Sequence, residues 1–267
     1  SFFIVFLAKL YFPKFKMVWH DHYGNSEFLA KRKSIVLKIA SRWMNGIVSV
    51  NNQLKDWAID RLNANKVIYL SNFPVKNTHI TASTKLNGID GKRIVCLANL
   101  RPQKDHFLLL KAFKNLLPSD WTLHLVGKDF EDDYSKKIQL YIHDHGLRKN
   151  VFVYGTREDV SHILAQCEIG VLSSQSEGLP IALLEYGLHE LAVLATDVGE
   201  CKRVVSDGTK GFLVAANNTA VFTEKLQFLI ANENDRAAKA KNLKQHIEQQ
   251  FAQEAIVQQL ITFYKEL

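Results

Sequence analysis

Apolar residues along this 267-residue chain recur in two rhythms. Short runs rich in Val, Ile and Leu, bounded by Gly, Asn, Asp and Ser, alternate with longer stretches in which apolar positions return every three or four residues. Strands buried on both faces and separated by amphipathic helices produce that alternation, so the chain reads as βαβ units with parallel sheets. The strand candidates are "KMVWH", "GIVSV" and "KVIYL", then "RIVCLA", "WTLHLVG", "NVFVYG", "IGVLSS", "AVLATD" and "GFLVA". Helical periodicity marks "FLLLKAFKNLL", "YSKKIQLYIHDHG" and "TAVFTEKLQFLIAN", with "AAKAKNLKQHIEQQF" and "AQEAIVQQLITFYKEL" at the end.

Between the third and fourth strands, residues 71–92 lose periodicity and gather Asn, Thr, Ser, Gly and Pro. We therefore expect two doubly wound domains. The first covers 1–76, a linker 77–92, the second 93–245, and two terminal helices 246–267. Three strands are few for the first domain, and the chain opens without Met on a helix, Phe2 to Phe12, closed by Pro13. The expectation is that this domain is incomplete, with a strand-helix pair or more lying upstream. The opening apolar run is interrupted by Lys9 and is too short for a bilayer span, which takes roughly twenty residues. It also lacks the basic start and cleavage site of a signal peptide.

Charge adds an asymmetry. Residues 1–80 hold 12 Lys+Arg against 4 Asp+Glu, a balance of +8, whereas the remainder, 22 against 23, carries −1. The excess is densest in "KRKSIVLKIASRW", where helical spacing puts Lys31, Lys38 and Arg42 on one face and Val36, Ile39, Ala40 and Trp43 on another. A solvated face on a core helix explains this, and so does contact with an anionic partner: a membrane leaflet, a phospholipid-linked acceptor or nucleic acid. No aromatic-basic nucleic-acid motif accompanies it, which favours the membrane surface, through residues 31–43, over nucleic acid. Cys96, Cys167 and Cys201 are odd in number and scattered, which suits buried thiols in a reducing, cytoplasmic compartment better than a disulfide frame or a zinc site.

The chemistry gathers at strand-to-helix junctions. In "SSQSEGLPIALLEYG", Gly178 permits a tight turn and Pro180 fits the first helical turn, where no amide hydrogen is needed. Glu177 then stands just before a helix N-terminus and Glu185 a turn and a half inside, while free N–H groups within residues 179–182 point outward, suited to phosphate. Two charges near a positive helix end would account for Glu177 but not for Glu185, which lies too far along. A second anion site is "ANLRPQKDHF", which puts Arg101 and Lys104 at the carboxyl edge of a parallel sheet, where open α/β domains bind ligands. "WHDHYG" puts His20 and His22 at the end of a strand, and His-x-His there is compatible with a metal. The same tripeptide recurs at His143–Gly146, where a Gly-capped helix end explains it. The acidic stretch Asp129–Tyr134 is read as a loop and helix start rather than a metal site.

These residues carry a resemblance. "SEGLPIALLEYG" matches the Glu-x7-Glu motif of retaining glycosyltransferases of the family-4 type with the GT-B fold, two Rossmann-like domains facing each other across a cleft. "NLRPQKDHFLLLKAF" resembles the family's phosphate loop, "NVFVYGTREDVSHILAQCEIGVLSS" its base-binding loop and following segment, and "AVLATDVGECKRVVSDGTKGFLV" its closing signature. The likeness is strong over residues 93–215 and looser over 16–75. It implies that Lys104 and Arg101 neutralise the diphosphate of a nucleotide-sugar, that Glu185 accepts bonds from the ribose hydroxyls and that Glu177 holds a hydroxyl of the sugar. It places the backbone of Gly178, Leu179, Pro180 and Ile181 beside sugar and phosphates, and Gly155 and Thr156 against the base. A first-domain histidine reaches the sugar in this family, for which His20 is the candidate, so the catalytic set is Glu177, His20 and Lys104. The family's usual Arg two positions before Arg101 is Asn99 here. The last helix of the fold packs back on the first domain, and no chemical role is assigned to it.

The implied reaction is transfer from a nucleoside-diphosphate sugar to a saccharide or lipid-linked acceptor in bacterial surface polysaccharide or glycolipid synthesis, at the inner face of the membrane, with retained configuration and with no cofactor, metal or nucleic acid. Glycosidase carboxylates flank the scissile bond on opposite faces, which two carboxylates gripping one ligand from the same side do not. A GT-B-type nucleotide-sugar epimerase and an inactive nucleotide-sugar-binding fragment or scaffold stand as alternatives. The sugar, the base and the acceptor's identity are not encoded in any motif.

Overall fold

A computed structural model describes residues 2–23, 26–75, 81, 83–117, 119–205 and 207–267. All nine strand candidates are strands, in two parallel sheets. The chain divides into two compact units. One comprises residues 1–73, 177–179 and 251–267, the other residues 74–176 and 180–250.

In the first unit the sheet order is β1 (Val18–Asp21), β2 (Gly46–Ser49), β3 (Val67–Tyr69), all parallel, with Ile47 opposite Trp19 and Val67. Alternation along β2 sends Ile47 into a cluster with Met17, Met44, Ala58 and Leu62, and Val48 into another with Leu70, Ile256 and Phe263. Helices α1 (Phe2–Tyr11), α2 (Ile35–Ala40), α3 (Asn52–Arg61) and α11 (Gln253–Lys265) complete the unit. Asn51 caps α3 through a 2.8 Å bond from the Leu54 amide to its Oδ1.

The basic stretch 31–43 is not the single helix its spacing suggested. Lys31 ends a 3₁₀ turn, α2 starts at Ile35 after Ser34, and Ser41–Trp43 form a further 3₁₀ turn, so Lys31 does not share a helical face with Lys38. Its apolar side enters the core only in part: Ala40 is buried and Leu37 packs against the Met17–Ile47 cluster, while Ile35, Val36, Ile39 and Trp43 are exposed.

The second unit is a six-stranded parallel sheet, ordered β6 (Val151–Gly155), β5 (Thr122–Val126), β4 (Arg93–Leu97), β7 (Ile169–Leu172), β8 (Ala192–Thr196), β9 (Phe212–Val214). The chain winds outward from β4 in one direction and from β7 in the other, so β4 and β7 flank a topological switch point. Helices α4 (His106–Lys114), α5 (Asp133–Asp144), α6 (Val160–Leu164), α7 (Ile181–Leu188), α8 (Cys201–Val205), α9 (Thr219–Ala231) and α10 (Glu233–Gln250) surround the sheet. The core includes Ile94, Cys96, Leu109, Phe113, Leu123, Leu125, Val171, Leu194 and Phe222. All three thiols are buried, as expected, and no disulfide joins them.

Two expected boundaries move. Part of the 77–92 linker lies outside the described residues, but 83–92 belongs to the second unit. Asp159 takes bonds from the Ser83 and Thr84 amides (2.9 and 2.7 Å) and the Thr84 hydroxyl (2.8 Å), and buried Arg93 donates to the carbonyls of Asn87, Gly88 and Gln166. The second unit also extends to Gln250 rather than 245, because Leu243 and Ile247 of α10 pack against Gly187 of α7, leaving no room for a Cβ there. The acidic stretch forms a loop and helix start as expected, with Asp132 capping α5 through the Tyr134 and Ser135 amides. Gly146, at φ 66°, follows the end of that helix.

Candidate functional site

The site of the second unit is built at the carboxyl ends of β4, β6 and β7, the side on which open α/β sheets bind ligands. After β4 the chain makes a 3₁₀ turn, Pro102–Lys104, and reverses at Asp105, whose φ of 43° is left-handed and whose carboxylate caps the Leu108 amide. After β7 it runs through Ser173–Ser176. These two loops are sewn together: Ser173 Oγ donates to the Lys104 carbonyl (2.9 Å), the Gln175 amide to the Gln103 carbonyl (2.8 Å), Gln103 Nε2 to the Ser176 carbonyl (2.8 Å) and Gln175 Nε2 to Asp105 (3.2 Å). Four cross-links hold the Lys104 backbone in register with the chain entering α7. These loop residues belong to no motif of the sequence. The polar run "SSQS" after an apolar strand is the only signal it offered for them.

Glu185 is placed by its neighbours. Gly170 lacks a Cβ where one would collide with the ring of Tyr186, so that fully buried ring lies directly on β7. The Tyr186 hydroxyl donates to the Val171 carbonyl and accepts from the Leu97 amide (3.2 and 2.7 Å), tying α7 to both central strands. With Gly187 closed against α10, the helix has one seat, and Glu185, partly exposed, is carried on it. Removal from water pushes its carboxyl up to about 7. A half-buried carboxylate without charge compensation is costly unless hydrogen-bond donors meet it.

Pro180 takes extended backbone, φ −74° and ψ 115°, and stands at the N-cap, so the first helical residue is Ile181. That corrects the placement of Pro180 by one position, and the N-terminal amides of the eight-residue helix begin at Ile181. Arg101 is exposed, with its guanidinium 4.6 Å from the Phe130 ring. Asn99, where the resemblance departs from its pattern, accepts the Lys128 amide at 2.8 Å and secures the neighbouring β5 loop. Gly127 permits that loop to approach the Ala98 carbonyl. Gly155 ends β6 at φ 68° with its carbonyl bonded to the Gly127 amide, and Thr156 beyond it is exposed. Arg101, Lys104, Gly155, Thr156, Pro180, Ile181 and Glu185 thus share one edge of one sheet.

Beneath the loop, His106 is fully buried at the start of α4, and burial lowers its pKa to about 4, opposed by a bond to the Ala98 backbone and aided, by less, by the Lys104 charge. It is a neutral core histidine.

The remaining predicted residues lie in the first unit. Glu177, Gly178 and Leu179 group there: Glu177 is buried, Asn72 Nδ2 donates to the Leu179 carbonyl (3.2 Å), and a Cβ on Gly178 would come within 3.2 Å of Asn51 Nδ2. His20 is on β1, exposed, with Nε2 2.8 Å from the Tyr264 hydroxyl. The His22 ring stacks parallel to it at 6.3 Å. Among the described residues, no three His, Cys, Asp or Glu side chains converge as a metal site would require.

Comparison with known proteins gives this geometry a family. Residues 80–246 match the model for glycosyl transferases group 1. A lipopolysaccharide core biosynthesis mannosyltransferase, LpcC of Rhizobium leguminosarum bv. viciae, is 26% identical over 62% of this chain and 49% of its own. An Escherichia coli UDP-Gal:alpha-D-GlcNAc-diphosphoundecaprenol alpha-1,3-galactosyltransferase is 23% identical over 78% of this chain and 59% of its own. The chain spans about half the length of several curated relatives it matches. Among solved structures, Anabaena Alr3699/HepE in complex with UDP and glucose superposes with a TM-score of 0.86 at 20% identity, over all of this chain and 75% of that one. The two Rossmann-like parallel sheets are those of the GT-B glycosyltransferases, and the chain belongs to the glycosyl transferases group 1 family.

Proposed function

We propose that this protein is a retaining glycosyltransferase of the family-4 type that moves a sugar from a nucleoside-diphosphate sugar to a saccharide or lipid-linked acceptor in bacterial surface polysaccharide or glycolipid synthesis. The observation that carries this reading is the sewn pair of loops at the β4/β7 switch point, which holds the Lys104 loop against the chain entering Glu185's helix. UDP is the first nucleotide to test, because the HepE structures hold UDP, glucose and UDP-glucose.

In this reading Lys104 and Arg101 counter the charge that develops on the diphosphate as the bond from sugar C1 to phosphate oxygen breaks. Fixed cations aimed at that oxygen lower the barrier without reorganising. Glu185 accepts the two ribose hydroxyls, and Gly155 and Thr156 lie against the base. Glu177 holds a sugar hydroxyl, with the backbone of Gly178, Leu179, Pro180 and Ile181 alongside, and His20 reaches the sugar from the first domain. The acceptor hydroxyl bonds to C1 on the face the diphosphate leaves, and its proton passes to the departing phosphate oxygen. No residue is assigned to a cofactor or metal.

The acceptor side is proposed to rest on an anionic membrane surface at the cytoplasmic face. Support comes from exposed Ile35, Val36, Ile39 and Trp43 beside Lys38 and Arg42, an apolar ridge edged with cations. Among the described residues no helix is long and apolar enough to cross a membrane. The test is incubation with UDP-sugars and lipid-linked saccharides, followed by mass spectrometry of the acceptor. A product heavier by one sugar with the donor's anomeric configuration is expected. An inverted product overturns the retaining assignment, and a donor converted to its epimer with no glycosylated acceptor favours the epimerase.

A further inference from the structure

Helix α11 has no part in the reaction as drawn above, yet it is seated on the first unit's sheet with little freedom. β2 opens on Gly46, where a Cβ would stand 2.5 Å from Cζ of Phe263. The Phe263 ring therefore lies against bare backbone, buried with Val48, Leu70 and Ile256. Lys66, which precedes β3, pairs with Glu266 at the end of the helix. These contacts fix the rotation of the last turn of α11 and thereby the direction of the residue after Phe263.

That residue is Tyr264. Its hydroxyl lies 2.8 Å from Nε2 of His20, with the ring centroids 6.3 Å apart and the rings inclined at 58°. The two residues are separated by 244 positions. A hydroxyl can donate to a ring nitrogen or accept from it, so a bond at Nε2 fixes how the imidazole is turned in either tautomer. Dehydration of the ring, then the charge of His22, lower the His20 pKa.

Resting on the reading of His20 as the residue that meets the donor sugar, we infer that Tyr264 is its positioning residue: it engages Nε2 and holds the ring in one orientation, so that Nδ1 is the nitrogen left for the sugar. The C-terminal helix is then part of the active-site apparatus, acting through His20 and touching no substrate itself.

The test compares the full chain with Tyr264→Phe and His20→Ala. ¹⁵N correlation spectra of His20 near pH 7, without ligand, are expected to show its Nε2 resonance shifted in Tyr264→Phe, as the bond to the hydroxyl is lost. An unchanged Nε2 resonance overturns the inference whatever the donor is. Release of UDP from UDP-glucose is expected to slow by about ten- to hundredfold in Tyr264→Phe, the scale of a misplaced reacting group, with UDP affinity unchanged. If His20→Ala is slow while Tyr264→Phe keeps the parent rate, positioning by Tyr264 is wrong and the reading of His20 stands. If His20→Ala keeps the parent rate, the reading of His20 is wrong and the inference falls with it.

Discussion

Lowering the pH from 8 to 6 should weaken the binding of a nucleotide-sugar, because in the proposed function an ionised Glu185 accepts both ribose hydroxyl protons, and its carboxyl is pushed up to about 7 by loss of water. A group with that midpoint is roughly nine-tenths charged one unit above it and one-tenth charged one unit below. UDP-glucose affinity should therefore fall about tenfold across that range if the neutral carboxyl binds poorly. UDP-glucose suits the assay because its diphosphate, unlike the terminal phosphate of UDP, does not titrate there. Calorimetry at pH 8, 7 and 6 on the parent and on Glu185→Gln separates this group from the rest: the variant should bind more weakly at pH 8 and show a flat profile. Stability moves with the same proton. The unfolded carboxyl ionises near 4.5 and the folded one near 7, so the folded state holds the extra proton in between. Its contribution is complete below about 4.5 and is lost as pH rises through 7, by about 3 kcal/mol at most. An affinity that stays level in the parent from pH 8 to 6 would refute the reasoning.

Buried His106 and His124 work in the opposite direction. Burial lowers both to about 4, so the stability of keeping them neutral is present above about 6.5 and is lost as pH falls toward 4. Two histidines at about 1.4 kcal/mol per pH unit each outweigh the single opposing Glu185, so urea midpoints should drop between pH 6 and 4.5, and a rise would contradict this. Gly170→Ala should destabilise by about 1–3 kcal/mol through overpacking against Tyr186 and weaken UDP binding by displacing α7. An unfolding curve like the parent's would sink that packing argument. Replacing Ile35 and Val36 by Asp should reduce sedimentation with anionic liposomes while leaving UDP binding unaltered, and equal sedimentation would remove the membrane proposal.

The strands were legible because each is short, β-branched and bounded by turn residues, a local signal that parallel sheets require. The motif at Glu177–Glu185 was legible by resemblance, and the structure supplies the reasons for its flanks: Tyr186 anchors β4 and β7, and Gly187 admits α10. Misreading was concentrated where local pattern and tertiary context part. Residues 31–43 have helical spacing, but the chain breaks before Ile35, and Ile35, Val36, Ile39 and Trp43 remain exposed. The segment 83–92 looks like a linker because its stabilising partners, Asp159 and Gln166, lie about 75 residues away. His20 and Tyr264 meet through a helix seated by Gly46, a relation no local window contains.

Binding of UDP by calorimetry to the parent, Lys104→Ala and Glu185→Ala tests the donor site most directly. Each variant is expected to lose about tenfold or more in affinity, the worth of one charge-assisted contact, with its unfolding midpoint near that of the parent. Parent-like affinity in both variants would contradict the placement of the donor at the β4/β7 switch point.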